Sequence, residues 1–426
     1  MIEEQALKIA SFNGIDIYRV RSEKFKTNSI NIFFQDTLKR EDVTKNALVP
    51  AVLRRGCKSF KTIQEIALYL EELYGAAFDC GVSKKGEQQI IQFYIDHISD
   101  KYTGENANLF EKCFNLLFEI ITEPVLENGV FKVDYLEQEK ENLRKIIEGR
   151  INDKLQYSVE RCLEETCKGE PFQIYEYGFI EDLNAIDGKD LYEHYGRMVK
   201  SLPVKVYIAG DIEDKALDAA IKRLKGLERG NIKGIAPAGI EKKAGGVKNI
   251  TESLNVTQGK LSLGFRTNIP PGDRAYYALL VYNSILGGGI HSKLFQNVRE
   301  REGLAYYSFS RLEKFKGLMV ISCGIEIQNK DKAVEVILKQ IEEMKNGNIL
   351  AYEYDSSIKS IQTGLESLKD SQIQMVDFFL SQTISDTNDT LDSLIEKIKK
   401  VSMQEIKAVA EKINLDTVYF LTSQQE

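Results

Sequence analysis

The sequence of 426 residues contains no tryptophan, three histidines, seven prolines and six cysteines. Each scarcity excludes something. So few prolines leave room for long uninterrupted helices. The histidines, His97, His194 and His291, are scattered along the chain, which limits the metal or imidazole chemistry that this polypeptide could run by itself. The cysteines, Cys57, Cys80, Cys113, Cys162, Cys167 and Cys323, form no Cys-x-x-Cys pair, so reduced thiols are expected and neither a zinc knuckle nor a dithiol redox site is. No stretch approaches the roughly 18 apolar residues of a membrane span, and no membrane is expected as a partner. The segment 1–8 has acids where a signal peptide needs bases, and no apolar run follows it; the expected location is cytoplasmic.

What is present reads as globular. Hydrophobic residues make up 43% and charged residues 28%, in a chain long enough for two or more domains. The net charge of -7, with lysines and arginines evenly mixed among the acids, argues against a nucleic-acid partner, because neutralising phosphates needs clustered cations.

Periodicity predicts a strand at about 29–36, a mostly apolar helix around 46–55 and a helix at 62–73 in which Ile63, Ile66, Ala67 and Leu70 recur at helical spacing. Strands near 76–83 and 89–96 flank the turn Lys84-Lys85-Gly86-Glu87, a hairpin signal. Helices at about 108–122, 134–148 and 157–166 and a strand at 204–209 follow. From Arg229 to Gly246 the chain turns glycine-rich and loses apolar periodicity, which reads as a linker. Beyond it the order repeats: a strand at 261–267, an apolar helix at 275–286, a short helix near 292–300, a hairpin of 304–311 with 317–327, then helices at 330–345 and 351–369. Ile30 with Leu261, Leu73 with Leu304 and Ile91 with Met319 sit about 230 residues apart, the mark of a tandem duplication. The expected fold is α+β, with two homologous tandem domains at 1–228 and 247–426 joined by a linker at 229–246. Each is expected to be a mostly antiparallel sheet with helices packed on one face.

The most informative segment runs from Leu286 through three glycines to Ser292, Leu294, Phe295, Arg299, Gly303 and Tyr306. The glycines permit a tight turn with positive φ, Leu294, Phe295 and Val298 give the next helix an apolar stripe, and Gly303 suits a helix stop. By themselves Arg299 is a helix-end cation and Tyr306 a strand aromatic.

This segment, Gly-Gly-Gly-x-x-Ser-x-Leu-Phe-x-x-x-Arg-Glu-x-x-Gly-Leu-Ala-Tyr at 287–306, together with the duplicated layout over about residues 10–420, resembles the pitrilysin/insulinase family of zinc metallopeptidases. The likeness is nearest to its bacterial half-length members related to the mitochondrial processing peptidase. The resemblance implies that Arg299 and Tyr306 bind the carbonyl of the scissile peptide. It also shows a departure. The family's His-x-x-Glu-His, set by its following glycine on Gly56, falls on Ala47-Leu48-Val49-Pro50-Ala51, so both imidazole ligands and the general base are missing at Ala47, Pro50 and Ala51. The family's later glutamates resemble Glu141 and Glu148, which without imidazoles beside them read as remnants or solvated charges. The segment Asp190-Leu-Tyr-Glu193-His194 imitates the motif about 140 residues too late. His97 and His291 read as surface or supporting residues, and runs such as 137–145 and 396–400 read as solvated helix faces.

The resemblance therefore implies a non-catalytic subunit of a heterodimeric zinc endopeptidase. No cofactor is expected in this chain. Zinc and the general base are expected in a partner, a homologous chain bearing His-x-x-Glu-His, with a peptide or unfolded polypeptide as substrate. Identical chains pairing when that partner is missing is a further expectation. The alternative is a purely structural or peptide-binding protein of the same fold.

Overall fold

The computed structural model describes residues 5–104, 107–240, 242 and 245–423. Its strands are β1 (Ala6–Phe12), β2 (Ile15–Arg21), β3 (Thr27–Thr37), β4 (Ala77–Lys85), β5 (Gln88–Ile98), β6 (Leu126–Glu127), β7 (Val130–Phe131), β8 (Val204–Gly210), β9 (Lys248–Leu254), β10 (Gly259–Arg266), β11 (Ala305–Glu313), β12 (Leu318–Ile325) and β13 (Asn414–Ser423). The chain forms two compact units, and neither is continuous in sequence.

The first unit takes residues 1–148, 174–237 and 371–381. Its six-stranded sheet runs β1-β2-β8-β3-β5-β4, antiparallel at every junction except β2 with β8. The strand β3 is buried along nearly its whole length, as its run Ile30, Ile32, Phe33 and Phe34 requires of a strand covered on both faces. The helix Val43–Leu53 is also apolar almost all round, with nine of its eleven residues buried, so it lies within the core rather than on a surface. The segment 371–381 enters this unit through Gln372 Nε2, which donates to the Thr27 carbonyl at 2.7 Å, and Tyr207, whose hydroxyl donates to the Phe379 carbonyl at 3.3 Å.

The second unit takes residues 149–173, 238–370 and 382–426. Its five-stranded sheet runs β11-β12-β10-β13-β9, with β13–β9 its parallel junction. Read from the opposite end, the first sheet offers the same sequence of partners, with β4, β5, β3, β8 and β2 in place of β11, β12, β10, β13 and β9, and the parallel junction falls at the same place. Phe34 faces Ile91 across β3 and β5, and Phe265 faces Met319 across β10 and β12, at the offset near 230 residues expected of a duplication. The helix Lys154–Thr166, from the first half of the chain, packs on this second sheet: Cys162 and Leu163 share a core with Leu318, Val320 and Tyr419. The compact units thus cut across the spans 1–228 and 247–426: the helix Lys154–Thr166 joins the core of the second unit, and residues 371–381 belong to the first.

Among the described residues, the segment between the helix Asp214–Lys225 and β9 carries no helix or strand. Its first part is tied to the first unit. The Arg229 guanidinium donates to the carbonyls of Val199 (2.5 Å) and Leu202, and the Lys233 ammonium pairs with the buried Asp36.

Candidate functional site

On the helix Val43–Leu53, Ala47 and Pro50 are buried and Ala51 is half-buried. None has a side-chain donor atom for a metal. Around them the space is closed by ordinary packing: the Cys80 thiol donates to the Pro50 carbonyl at 3.1 Å, and burial pushes that thiol up to about 12, with Arg54 opposing, so it stays protonated and inert. On the helix Val133–Gly149, Glu141 and Glu148 are exposed, Glu141 pairing with Arg144 and Lys145 on its own helix face. The acid that points inward is Glu139, 7% exposed, in an ion pair with Arg55. This corrects the reading of 137–145 as solvated throughout. Among the described residues no three His, Cys, Asp or Glu side chains are grouped to hold a metal. The residues at the family's zinc position do not fit zinc.

The three histidines have separate structural tasks. His194 lies on the helix Gly188–Ser201, buried, with Nε2 2.7 Å from Asn46 Oδ1. Asn46 in turn donates to Asp36 (3.2 Å) and Gln89 (2.9 Å), and a polar cavity of about 220 Å³ opens beside Asp36, Asp42, Arg197 and Lys233. Burial pushes the His194 imidazole down to about 4, with Asp42 opposing and Arg197 assisting. His97 stands inside β5 and is buried rather than on the surface, its Nδ1 2.8 Å from the Ile98 carbonyl, and burial holds its pKa below the usual range. His291 Nε2 meets the Ser357 hydroxyl at 2.9 Å.

The segment 286–306 lies wholly in the second unit. The helix Tyr276–Gly287 is buried, and at its end a Cβ on Gly287 would sit 2.3 Å from the Ser310 amide nitrogen, so glycine is needed for the helix to touch the edge strand β11. The three glycines do not use positive φ as expected; Gly287 and Gly288 instead supply close approach to backbone, while Gly289 faces only the His291 ring. Gly303 does take φ +62, and the Leu304 amide closes on the Val298 carbonyl at 3.0 Å, the helix stop that its position predicts.

Between them, Phe295–Arg301 is wound as a π-helix, with the Glu302 amide reaching the Asn297 carbonyl five residues back at 3.2 Å. Such turns insert one residue and re-aim the side chains that follow. Below it, buried Lys293 pairs with Glu353 at 3.0 Å and Asn297 donates to Gln340 at 3.0 Å. Above it, the Arg299 guanidinium lies 4.6 Å from the centre of the Phe295 ring and keeps 42% of its side chain exposed. Tyr306 is the extra residue of a β-bulge: Ala305 pairs with Ile325 and Tyr307 with Gly324, so Tyr306 faces no partner and its side chain stands 62% exposed at the sheet edge. Sequence reading singled out Arg299 and Tyr306 but missed Phe295, Lys293 and Asn297 as their supports. The charged and amide residues of 292–300, one lysine, two amides, one arginine and one acid, gave no signal of which would be buried.

Residues 185–361 match the family described as Peptidase M16 inactive domain. The chain is 35% identical over 408 residues, 96% of each protein, to the probable inactive metalloprotease YmfF of Bacillus subtilis, and 25% identical over 363 residues to the uncharacterized zinc protease YmxG of that organism, covering 82% of this chain and 86% of the relative. A crystal structure of a conserved protein from Enterococcus faecalis V583 superposes with a TM-score of 0.91 at 28% identity, over 99% of both chains.

Proposed function

Since the chain belongs to the M16 peptidase family and stands with its inactive members, we propose that it is the non-catalytic subunit of a two-chain zinc endopeptidase of the processing-peptidase type. Its homologous partner carries His-x-x-Glu-His, zinc and the general base. This chain contributes Arg299 and Tyr306, whose guanidinium and phenol donate hydrogen bonds to the carbonyl oxygen of a peptide as it gains negative charge, an interaction stronger in the transition state than in the ground state. The six cysteines stand as thiols outside any disulfide, which agrees with a reducing, cytoplasmic setting.

One contrast carries the reading. The helix at the family's zinc position is packed shut with side chains that cannot ligate, whereas Arg299, on a π-turn and 3.7 Å from Glu300, and Tyr306, on a β-bulge, keep much of their side chains exposed. Packing alone gives no reason to support two exposed residues on irregular backbone. The test is co-expression with a His-x-x-Glu-His relative from the same genome, comparing Arg299→Ala and Tyr306→Phe. A fall in turnover of about 10²–10³ with assembly retained supports the reading. Unchanged turnover assigns the chain a structural or peptide-binding role, and stoichiometric zinc with peptide cleavage by the isolated chain overturns it.

A further inference from the structure

The second unit holds a hollow of about 580 Å³ that no part of the proposed chemistry uses. It lies between the first turn of the helix Tyr276–Gly287, the end of the helix Leu391–Lys399 and the helix Met403–Lys412. Its size is that of a small-molecule site, and its floor is apolar: Ala278, Val401 and Val409 are buried beneath it. Alanines at 275, 278 and 408 are the reason the space is open, since longer aliphatic side chains at those places would fill it.

The charges around this floor are unevenly committed. Each acid is engaged within the fold. Asp273 accepts the Ala275 amide at 2.8 Å, and Glu405 accepts the Ser402 amide and hydroxyl at 2.8 Å each, closing the N-terminus of its helix. Asp389, just behind the hollow, accepts the Tyr277 hydroxyl at 2.7 Å and the Lys397 ammonium. Lys400 and Lys412 are exposed on the rim, and among the described residues neither has a carboxylate within 4.0 Å. Asp273 and Glu405 keep their charge, but Arg274, Lys397, Lys400 and Lys412 line the hollow with them, four cations against two acids, and this positive excess over an apolar floor makes a surface complementary to an anion with an apolar body.

We propose that this hollow binds a small amphipathic carboxylate, an unbranched aliphatic acid of the size of decanoate, its chain on Ala278, Val401 and Val409 and its carboxylate between Lys400 and Lys412. The inference is independent of the reading of Arg299 and Tyr306. Burial of the chain supplies the affinity, and the lysines select the sign of the head group.

The test is calorimetric titration of the full chain with decanoate, decylammonium and acetate, which separate head from tail. Decanoate is expected to bind at least about tenfold more tightly than either control, the discrimination of a hydrogen-bonded charge. Lys400→Gln with Lys412→Gln, both on the surface, should weaken decanoate by about the same factor and leave the fold intact. Ala408→Phe, which fills the mouth from an exposed position, should abolish binding. Absence of decanoate binding, equal binding of decylammonium, or undiminished binding by the double lysine variant each overturns the proposal. If Ala408→Phe perturbs folding, the lysine variant decides alone.

Discussion

His194 Nε2 donates to Asn46 Oδ1 at 2.7 Å, across 148 residues of sequence. The direction is fixed by Asn46 itself, whose amide nitrogen is already spent on Asp36 and Gln89, so its oxygen must accept. The proton of the imidazole therefore sits on Nε2. Its Nδ1 is a lone pair 3.4 Å from an Arg197 nitrogen, and a second proton there would place a cation against Arg197 and near Lys45, with Asp42 at 3.6 Å and Asp36 as the opposing charges.

Acid should therefore loosen the first unit well before its carboxylates titrate. The folded value near 4 lies below the ordinary 6.5, so the unfolded chain takes the proton first, and the contribution of His194 is whole above about pH 6.5 and lost as pH falls toward 4. The full loss is about 3 kcal/mol. Thermal melts between pH 7.5 and 4.5 should fall more steeply for the wild type than for His194→Gln. Some slope should survive in the variant, because His97 is shifted in the same direction.

In the second unit, Glu170 accepts the Arg266 guanidinium at 2.8 Å and pairs with the Lys316 ammonium at 2.7 Å, and Lys316 is fully buried. Replacing Glu170 by Gln leaves that ammonium short of its nearest counter-charge. Urea denaturation should show a loss of about 3–5 kcal/mol, the cost of breaking rather than removing a buried pair. Burial raises the Glu170 carboxyl, but Lys316 and Arg266 outweigh it and hold it below the usual range. Its contribution is thus present above about pH 4.5 and declines in stronger acid.

Gly287→Ala should act on both stability and the exposed pair. The added Cβ meets backbone, not a movable side-chain tip, so the helix end and β11 must separate. A cost of about 1–3 kcal/mol in chemical denaturation is expected. In the two-chain assay turnover should fall further than stability accounts for, since β11 carries Tyr306.

Arg299→Ala and Tyr306→Phe, by contrast, should leave the melting of the isolated chain almost unchanged, within about 0.5 kcal/mol, because both side chains reach solvent. A large destabilisation by either would mark it as structural and remove it from the proposed site.

The sequence was most readable where structure is local. The hairpin β4–β5, the helices 63–72 and 109–122 and the repeat offset all follow from period and turn residues close together in the chain. The β1–β2 hairpin was not anticipated, nor were the helices beyond residue 371 apart from the helix face at 396–400. The strand β1 is an edge with most of its side chains exposed, so it lacks an apolar alternation, and β13 is defined by pairing with β9 and β10, about 170 and about 155 residues away. Arg299 and Tyr306 were legible only through a motif. The π-turn and the bulge that aim them are single-residue insertions into helix and ladder, which no spacing rule at this length marks. Asn46, next to the first erased ligand position, carried no signal at all, because its partners lie in three other elements.

Each unit borrows a helix from the other half of the chain, and that has a consequence for synthesis. The first unit needs residues 371–381, which leave the ribosome roughly 140 residues after Pro237, the end of its preceding segment. At about 5–20 residues per second the gap lasts roughly 7–30 s. Through that interval the nascent first sheet stands without the segment whose Phe379 carbonyl accepts the Tyr207 hydroxyl, and apolar surface left open in this way is what makes folding intermediates prone to aggregate.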